Sequence, residues 1–349
     1  MKKHLIIALS LVLFAACTKD EIEGPELQDI FGEFAVIQGL SSDRTTVDFG
    51  AGETVRFNAE LTIRTDWTLH ILGESSGAKK EIKGRERVIN QDIAKWNGTI
   101  SFAPLFGEED CITYMTFENH PDTLIGPTIT VTGVKPEDNV DILISDFETN
   151  TGWGTFAEAA ATNQNVSGSY FVQDPVNVGQ FLSVNAPQGT RHWRMTANNM
   201  NSVFICGANT TAAGSQDSEA DTYFSIGTNN PENVYINLLL YGLGDGNTRC
   251  SIGFQEDDNL DGIYDRFTEG TYNTTIAVDW QGWKVVSIPL SDFQLSTVGG
   301  FGNNDATGQQ DIGRIISMEV LLLAVEGTSG QIGYGMDYLN FTYFAPWTP

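Results

Sequence analysis

Apolar and polar positions alternate with a period of two over most of this chain, in short runs set apart by Gly, Pro, Asn and Asp. Val55, Phe57, Ala59, Leu61 and Ile63 share one side of such a run, and Trp67, Leu69 and Ile71 repeat it after Thr65-Asp66. Cys111, Thr113, Met115 and Phe117 follow, then Ile129 and Val131. Further on come Phe224 and Ile226, then Val234, Ile236, Leu238 and Leu240, then Cys250, Ile252 and Phe254. Side chains on a strand point to opposite faces in turn, so each run predicts a half-buried strand. The stretch Asp279–Phe293, DWQGWKVVSIPLSDF, aligns Val286, Ile288 and Leu290 on one face. Pro289 has no N–H to give to a ladder, so this strand ends, bulges or lies at a sheet edge there. Ile315–Val325 is almost continuously apolar and predicts a central strand buried on both faces. The chain is predicted to be all-β.

Strand runs at turn spacing over residues 31–135 predict an immunoglobulin-like sandwich, of the usual size of about 100 residues. Its only cysteine is Cys111, so it lacks the Cys…Trp…Cys spacing of antibody domains, and Trp67 reads as core. Gly133–Asp138, with Pro136 and no periodicity, predicts a linker, and residues 138–349 a second β domain. Ahead of both, residues 1–17 read MKKHLIIALSLVLFAAC, two lysines and an apolar run too short to span a bilayer. That is the form of an export signal. Residues 18–30 are acidic and aperiodic and predict a flexible tether.

Leu13–Cys17 resembles the bacterial lipobox, which implies that Cys17 is lipidated and holds the protein to a membrane through its acyl chains alone. Thr18-Lys19-Asp20-Glu21 is similar to the export tag of Bacteroidetes-type surface lipoproteins. The resemblance implies an outer-membrane location facing the cell exterior, with outer-membrane proteins as possible neighbours.

A formal charge of −26 repels nucleic-acid phosphates and anionic lipid surfaces, and excludes nucleic acid as a partner. Lys79, Lys80, Lys83, Arg85 and Arg87 form a basic cluster against this background. It reads either as a solvated hairpin flank or as a contact for acidic glycan or a partner protein.

The polar sides of the strand runs carry the candidate chemistry. Tyr235, Asn237 and Tyr241 stand opposite the Val234–Leu240 core positions, and Arg249 and Gln255 opposite Cys250–Phe254. Gly242–Asn247 joins the two runs and predicts antiparallel neighbours, hence one shared face. Aromatic rings can stack on sugar faces while planar polar groups take hydroxyls. The alternative is an outer face covered by a loop or by the first domain.

Asp257, Asn259, Asp261, Gly262 and Asp265 occupy positions 1, 3, 5, 6 and 9 of a loop resembling the D-x-N-x-D-G-x-x-D calcium loops. Position 12 is Thr268, and Glu269 falls one residue late, so a full EF-hand is excluded. An Asp/Gly hairpin turn is the other reading.

Over roughly residues 140–345 the chain resembles the galactose-binding-like jelly rolls of carbohydrate-binding modules, on the strength of the W-x-G-W-K…I-P-L-S-D-F strand. The resemblance implies polysaccharide or oligosaccharide as ligand. It also implies a structural Ca2+ where an early strand meets the last one, at Asp146, Glu148 and Asp337. Trp193 and Trp280 are placed as walls of the glycan groove.

Catalytic patterns are missing. His4, His70, His120 and His192 show no metal spacing, and Glu319 stands alone on its strand where a glycosidase needs paired carboxylates. A non-enzymatic surface lipoprotein that captures glycan is expected. A lipoprotein adhesin that binds a partner protein is the alternative, and an accessory hydrolase or lyase component the third. Cys206 and Cys250 are the only pair within one domain that a disulfide could join.

Overall fold

The computed structural model describes residues 32–136, 140–148, 152–157, 165–166, 170–173, 184–200, 203–217, 219–296, 305 and 307–349. Cys17, the export signal and the tether lie outside these, as do residues 137–139 of the linker and Gly299–Gly302. The fold is all-β, with short 3-10 turns and no α-helix among the described residues.

The first core is built by β1 (Val36–Ser42), β2 (Thr46–Asp48), β3 (Val55–Leu61), β4 (Trp67–Gly73), β5 (Lys79–Gly84), β6 (Val88–Ile89), β7 (Lys95–Trp96), β8 (Asp110–Phe117), β9 (His120–Ile125) and β10 (Ile129–Gly133). One sheet runs β1-β3-β6 with β7 beside β3, the other β2-β10-β8-β4-β5 with β9 beside β8. Every second residue of β3 and β4 is buried between them, Trp67 included. Each such Leu or Phe side chain contributes about 1.5–3 kcal/mol on leaving water. The basic cluster falls on and just after β5, the last strand of its sheet, which pairs with β4 and is bridged on its other side by Phe102 at Lys79 alone. Its lysines keep other strands from adding there.

The second core is built by β11 (Ile142–Ser145), β12 (Gly154–Ala157), β13 (Asn165–Val166), β14 (Tyr170–Gln173), β15 (Arg191–Met200), β16 (Phe204–Thr211), β17 (Val234–Leu243), β18 (Thr248–Glu256), β19 (Thr271–Ala277), β20 (Gln281–Pro289), β21 (Gln294–Leu295), β22 (Ile315–Ala324) and β23 (Ser329–Tyr343). One sheet runs β13-β15-β23-β17-β20, with β11 beside β23 and β14 beside β15; the other runs β12-β16-β22-β18-β19-β21. The stretch Asp279–Phe293 supplies β20, an edge strand that stops at Pro289, as the missing N–H requires.

Two expectations are corrected by this topology. First, β17 and β18 are not paired. β17 lies between β20 and β23, and β18 between β19 and β22 in the other sheet. Gly244 and Gly246, at φ 73° and 72°, turn the connection, and Asp245 fixes it by accepting from Asn247 N, Thr248 N and the Thr248 hydroxyl, each at 2.7 Å. The chain thus crosses the sandwich instead of folding back beside itself. Second, β22 is central, but Leu321 and Leu323 on its outward side are half-exposed.

Cys206 and Cys250 register with Leu322 from opposite sides. One strand therefore separates them by about 9–10 Å, beyond disulfide reach, and both thiols are free and buried.

A third, small apolar cluster joins Leu239, Tyr338 and Trp347 to Ala103 and Leu105 of the first sandwich. Leu105 N donates to Pro187 O at 2.9 Å, and Ile100 N to Pro349 O at 3.2 Å. Residues 100–105 and 344–349 together cover part of the outer face of the β17 sheet.

Candidate functional site

The strand crossing divides the residues singled out in the sequence between two surfaces. Tyr235, Asn237 and Tyr241 lie on the outer face of the β17 sheet, Arg249 and Gln255 on the outer face of the β18 sheet. They do not form one site. Asn237 is fully buried. Its Nδ2 donates to Asn340 Oδ1 and Thr342 Oγ1, both at 3.1 Å, and its Oδ1 accepts from Trp347 N at 3.1 Å. No part of that amide is open to a ligand. Tyr235 and Tyr241 are half-buried, with Tyr241 edge-on to Trp283 at 5.3 Å between ring centres. Burial pushes the Tyr241 hydroxyl pKa up.

Trp193 is on β15, not in a loop, and its ring points into the core beside Trp153 (5.5 Å) and Phe147 (6.0 Å). Trp280 is half-buried against the same core, with its indole N–H on Gly282 O at 3.0 Å and Lys284 Nζ 4.4 Å from its ring centre. Neither walls a groove beside Arg249 and Gln255.

The outer face of the β18 sheet is assembled by register. One row across it reads Gly154, Asn209, Glu319, Gly253, Asn273, Gln294; the next reads Phe156, Gly207, Leu321, Ser251, Thr275; a third reads Thr211, Ser317, Gln255, Thr271. Six strands at about 4.8 Å spacing make a platform roughly 24 Å wide. At one margin Phe156 keeps 40% of its surface exposed and stacks with Phe204, ring centres 6.2 Å apart and planes 15° from parallel. Gly207 makes this possible: a Cβ there would fall 2.6 Å from Leu321 Cδ2 and collide with the Phe156 ring, so ring and leucine meet over a bare backbone. The middle of the platform is amide, hydroxyl and one carboxylate. Burial pushes the Glu319 carboxyl above its ordinary range. Tyr264, from the loop after β18, reaches Thr271 Oγ1 at the polar margin. Sequence reading put Arg249 and Gln255 on this face but passed over its β22 residues, because Leu321 and Leu323 continue an apolar run, which reads as interior. The signal was the interruption of that run by Glu319.

The acidic loop after β18 folds on itself. Asp257 is fully buried and accepts from Gly262 N (2.7 Å), Asp261 N (3.2 Å) and the Tyr223 hydroxyl. Burial pushes its carboxyl up, and these hydrogen bonds outweigh burial and hold it below the usual range. Asn259 accepts from Asp261 N at 2.8 Å, Asp261 from Ile263 N at 2.9 Å, and Asp265 from Phe267 N at 2.9 Å. Glu269, one residue beyond the expected position, closes the loop by accepting from Asp265 N at 2.6 Å. The carboxylates thus accept from the loop's own N–H groups. Asp146, Glu148 and Asp337 do share one end of the sandwich, and both acids act on Asp337, whose carboxyl burial already pushes well up. Glu148 accepts with both oxygens from Thr190 and Arg191 N (2.7–2.8 Å), and the buried Asp337 Oδ2 has no donor among the described residues. Among the described residues no three His, Cys, Asp or Glu side chains converge as metal ligands.

No family model matches the chain, and no curated protein matches it. Among solved structures it is similar to the family 11 carbohydrate-binding module from Clostridium thermocellum in complex with a β-1,3-1,4-mixed-linked tetrasaccharide, at 16% identity over 58% of this chain and 95% of that one, TM-score 0.39. A family 30 carbohydrate-binding module is similar at 15% identity over 58% and 98%, TM-score 0.34. SGBP-B from a complex xyloglucan utilization locus in Bacteroides uniformis is similar at 10% identity over 88% and 73%, TM-score 0.36.

Proposed function

We propose that this chain is a glycan-binding surface lipoprotein whose ligand lies across the outer face of the β18 sheet, with no catalysis. The observation that carries the reading is the exposed Phe156 ring, seated over Gly207 and continuous with a row of Asn, Glu and Asn side chains. An aromatic face beside planar polar groups matches a sugar ring, whose C–H face is apolar and whose edge is hydroxyl. Glu319 has no second carboxylate beside it in its registered row, which supports binding over hydrolysis as the reading. Anchoring through Cys17 rests on its lipobox-like context alone. No part of the reading runs through a cation.

The experiment is titration of soluble β-glucan and xyloglucan oligosaccharides into the parent and into Phe156→Ala. Losing one stacking ring should weaken binding about tenfold, the equivalent of about 1.4 kcal/mol, with little change in melting temperature. Unaltered affinity in a folded Phe156→Ala protein would remove this face as the site.

A further inference from the structure

We propose that Glu319 sets the ligand class: its carboxylate receives two adjacent hydroxyls of one neutral sugar unit and bars uronic-acid polymers from the face. This inference rests on the glycan-binding reading of that face. Glu319 stands near the middle of the platform between Asn209 and Gly253. A Cβ on Gly253 would lie 3.2 Å from Glu319 Cγ, so the stem of Glu319 packs against bare backbone on that side. Gly154 ends the same row on the far side of Asn209, which keeps the approach to the carboxylate low.

No ion pair involves Glu319 among the described residues. Asn209 and Asn273 beside it are neutral. The one cation in the registered rows of this face is Arg249, two rows away, and its Nη1 is occupied by the carbonyls of Thr248 (2.8 Å) and Gly246 (3.2 Å). A carboxylate is acceptor-only and takes two parallel donors, the geometry a vicinal diol offers. A uronate carboxylate placed there would meet a like charge in a partly desolvated setting, on a protein of net charge −26, with the one cation of the registered rows two rows away.

The test is calorimetric titration of parent, Glu319→Gln and Phe156→Ala with a mixed-linkage β-glucan tetrasaccharide, a xyloglucan oligosaccharide and a galacturonate oligomer. The parent should bind at least one neutral probe and not the galacturonate. Glu319→Gln keeps shape and removes the charge, and should lose at least tenfold in neutral-glycan affinity while melting no lower than the parent. Neutral binding undiminished in Glu319→Gln, or galacturonate bound by the parent as well as the neutral probes, overturns the role of Glu319. Full binding by Phe156→Ala, with parent binding present, instead overturns the placement of the ligand. A parent that binds none of the probes overturns both.

Discussion

Asn237→Ala is the sharpest test of the strand faces, because it exchanges a residue that the sequence places on a binding surface and the structure places in the interior. The amide is fully buried and joins Asn340, Thr342 and the backbone of Trp347. Thr342 cannot replace it, since its hydroxyl proton is already committed to Ala345 O at 2.6 Å. Truncation leaves the Trp347 N–H and Asn340 Oδ1 without their partners. Each buried orphan costs about 1–3 kcal/mol, so a loss near 3 kcal/mol is expected. For a domain of this size that lowers the melting temperature by about 6–12 °C. Thermal unfolding followed by tryptophan fluorescence reports it, with urea unfolding to give the free energy. Glycan affinity, measured below the transition, should stay at the parent value, because Asn237 and Phe156 lie on opposite sheets. An unshifted transition would refute the buried network. A stable variant with lost glycan binding would return the site to the β17 face.

The remaining predictions are shorter. Glu256 is fully buried, its Oε1 accepting from Asp311 N at 2.9 Å and its Oε2 without a donor; burial, and next the nearby Asp258, Asp305 and Asp311, push its pKa up to about 9. In the unfolded chain it ionises near the ordinary 4.5, so its favourable share is present below that pH and lost as pH rises toward 9. Glu256→Gln should therefore raise the melting temperature relative to the parent at pH 8 and make little difference at pH 4; an equal shift at both would show that the acid is not held neutral. Cys17→Ser should move the protein from the membrane fraction to the soluble fraction, and a variant still sedimenting with membranes would place the anchor elsewhere.

Alternation made the strands legible. Val55–Leu61 and Trp67–Ile71 could only be half-buried, and Pro289 could only stop a strand or sit at an edge. Pairing was not legible, because Gly242–Asn247 is as good a hairpin as it is a crossing; what decides is Asp245, which binds the N–H groups of Asn247 and Thr248 and turns β18 into the other sheet. From that one ambiguity the site went astray, since Tyr241 and Arg249 are close in sequence and stand on opposite surfaces. Asn237 shows a second limit. A polar residue at an outward position reads as solvent-facing, and only the segment around Trp347, more than a hundred residues away, makes it interior. Leu321 and Leu323 show the converse, apolar side chains that dress a surface.

The cluster of Ala103, Leu105, Tyr338 and Trp347 acts as a hinge pin. It fastens the back sheet of the second sandwich to the first, while the proposed glycan face lies on the front sheet. A pull on a bound chain would cross the second core in shear before it reached the pin. Cut the pin, and the front sheet would keep its own packing but would no longer keep a fixed bearing on whatever the first sandwich stands upon.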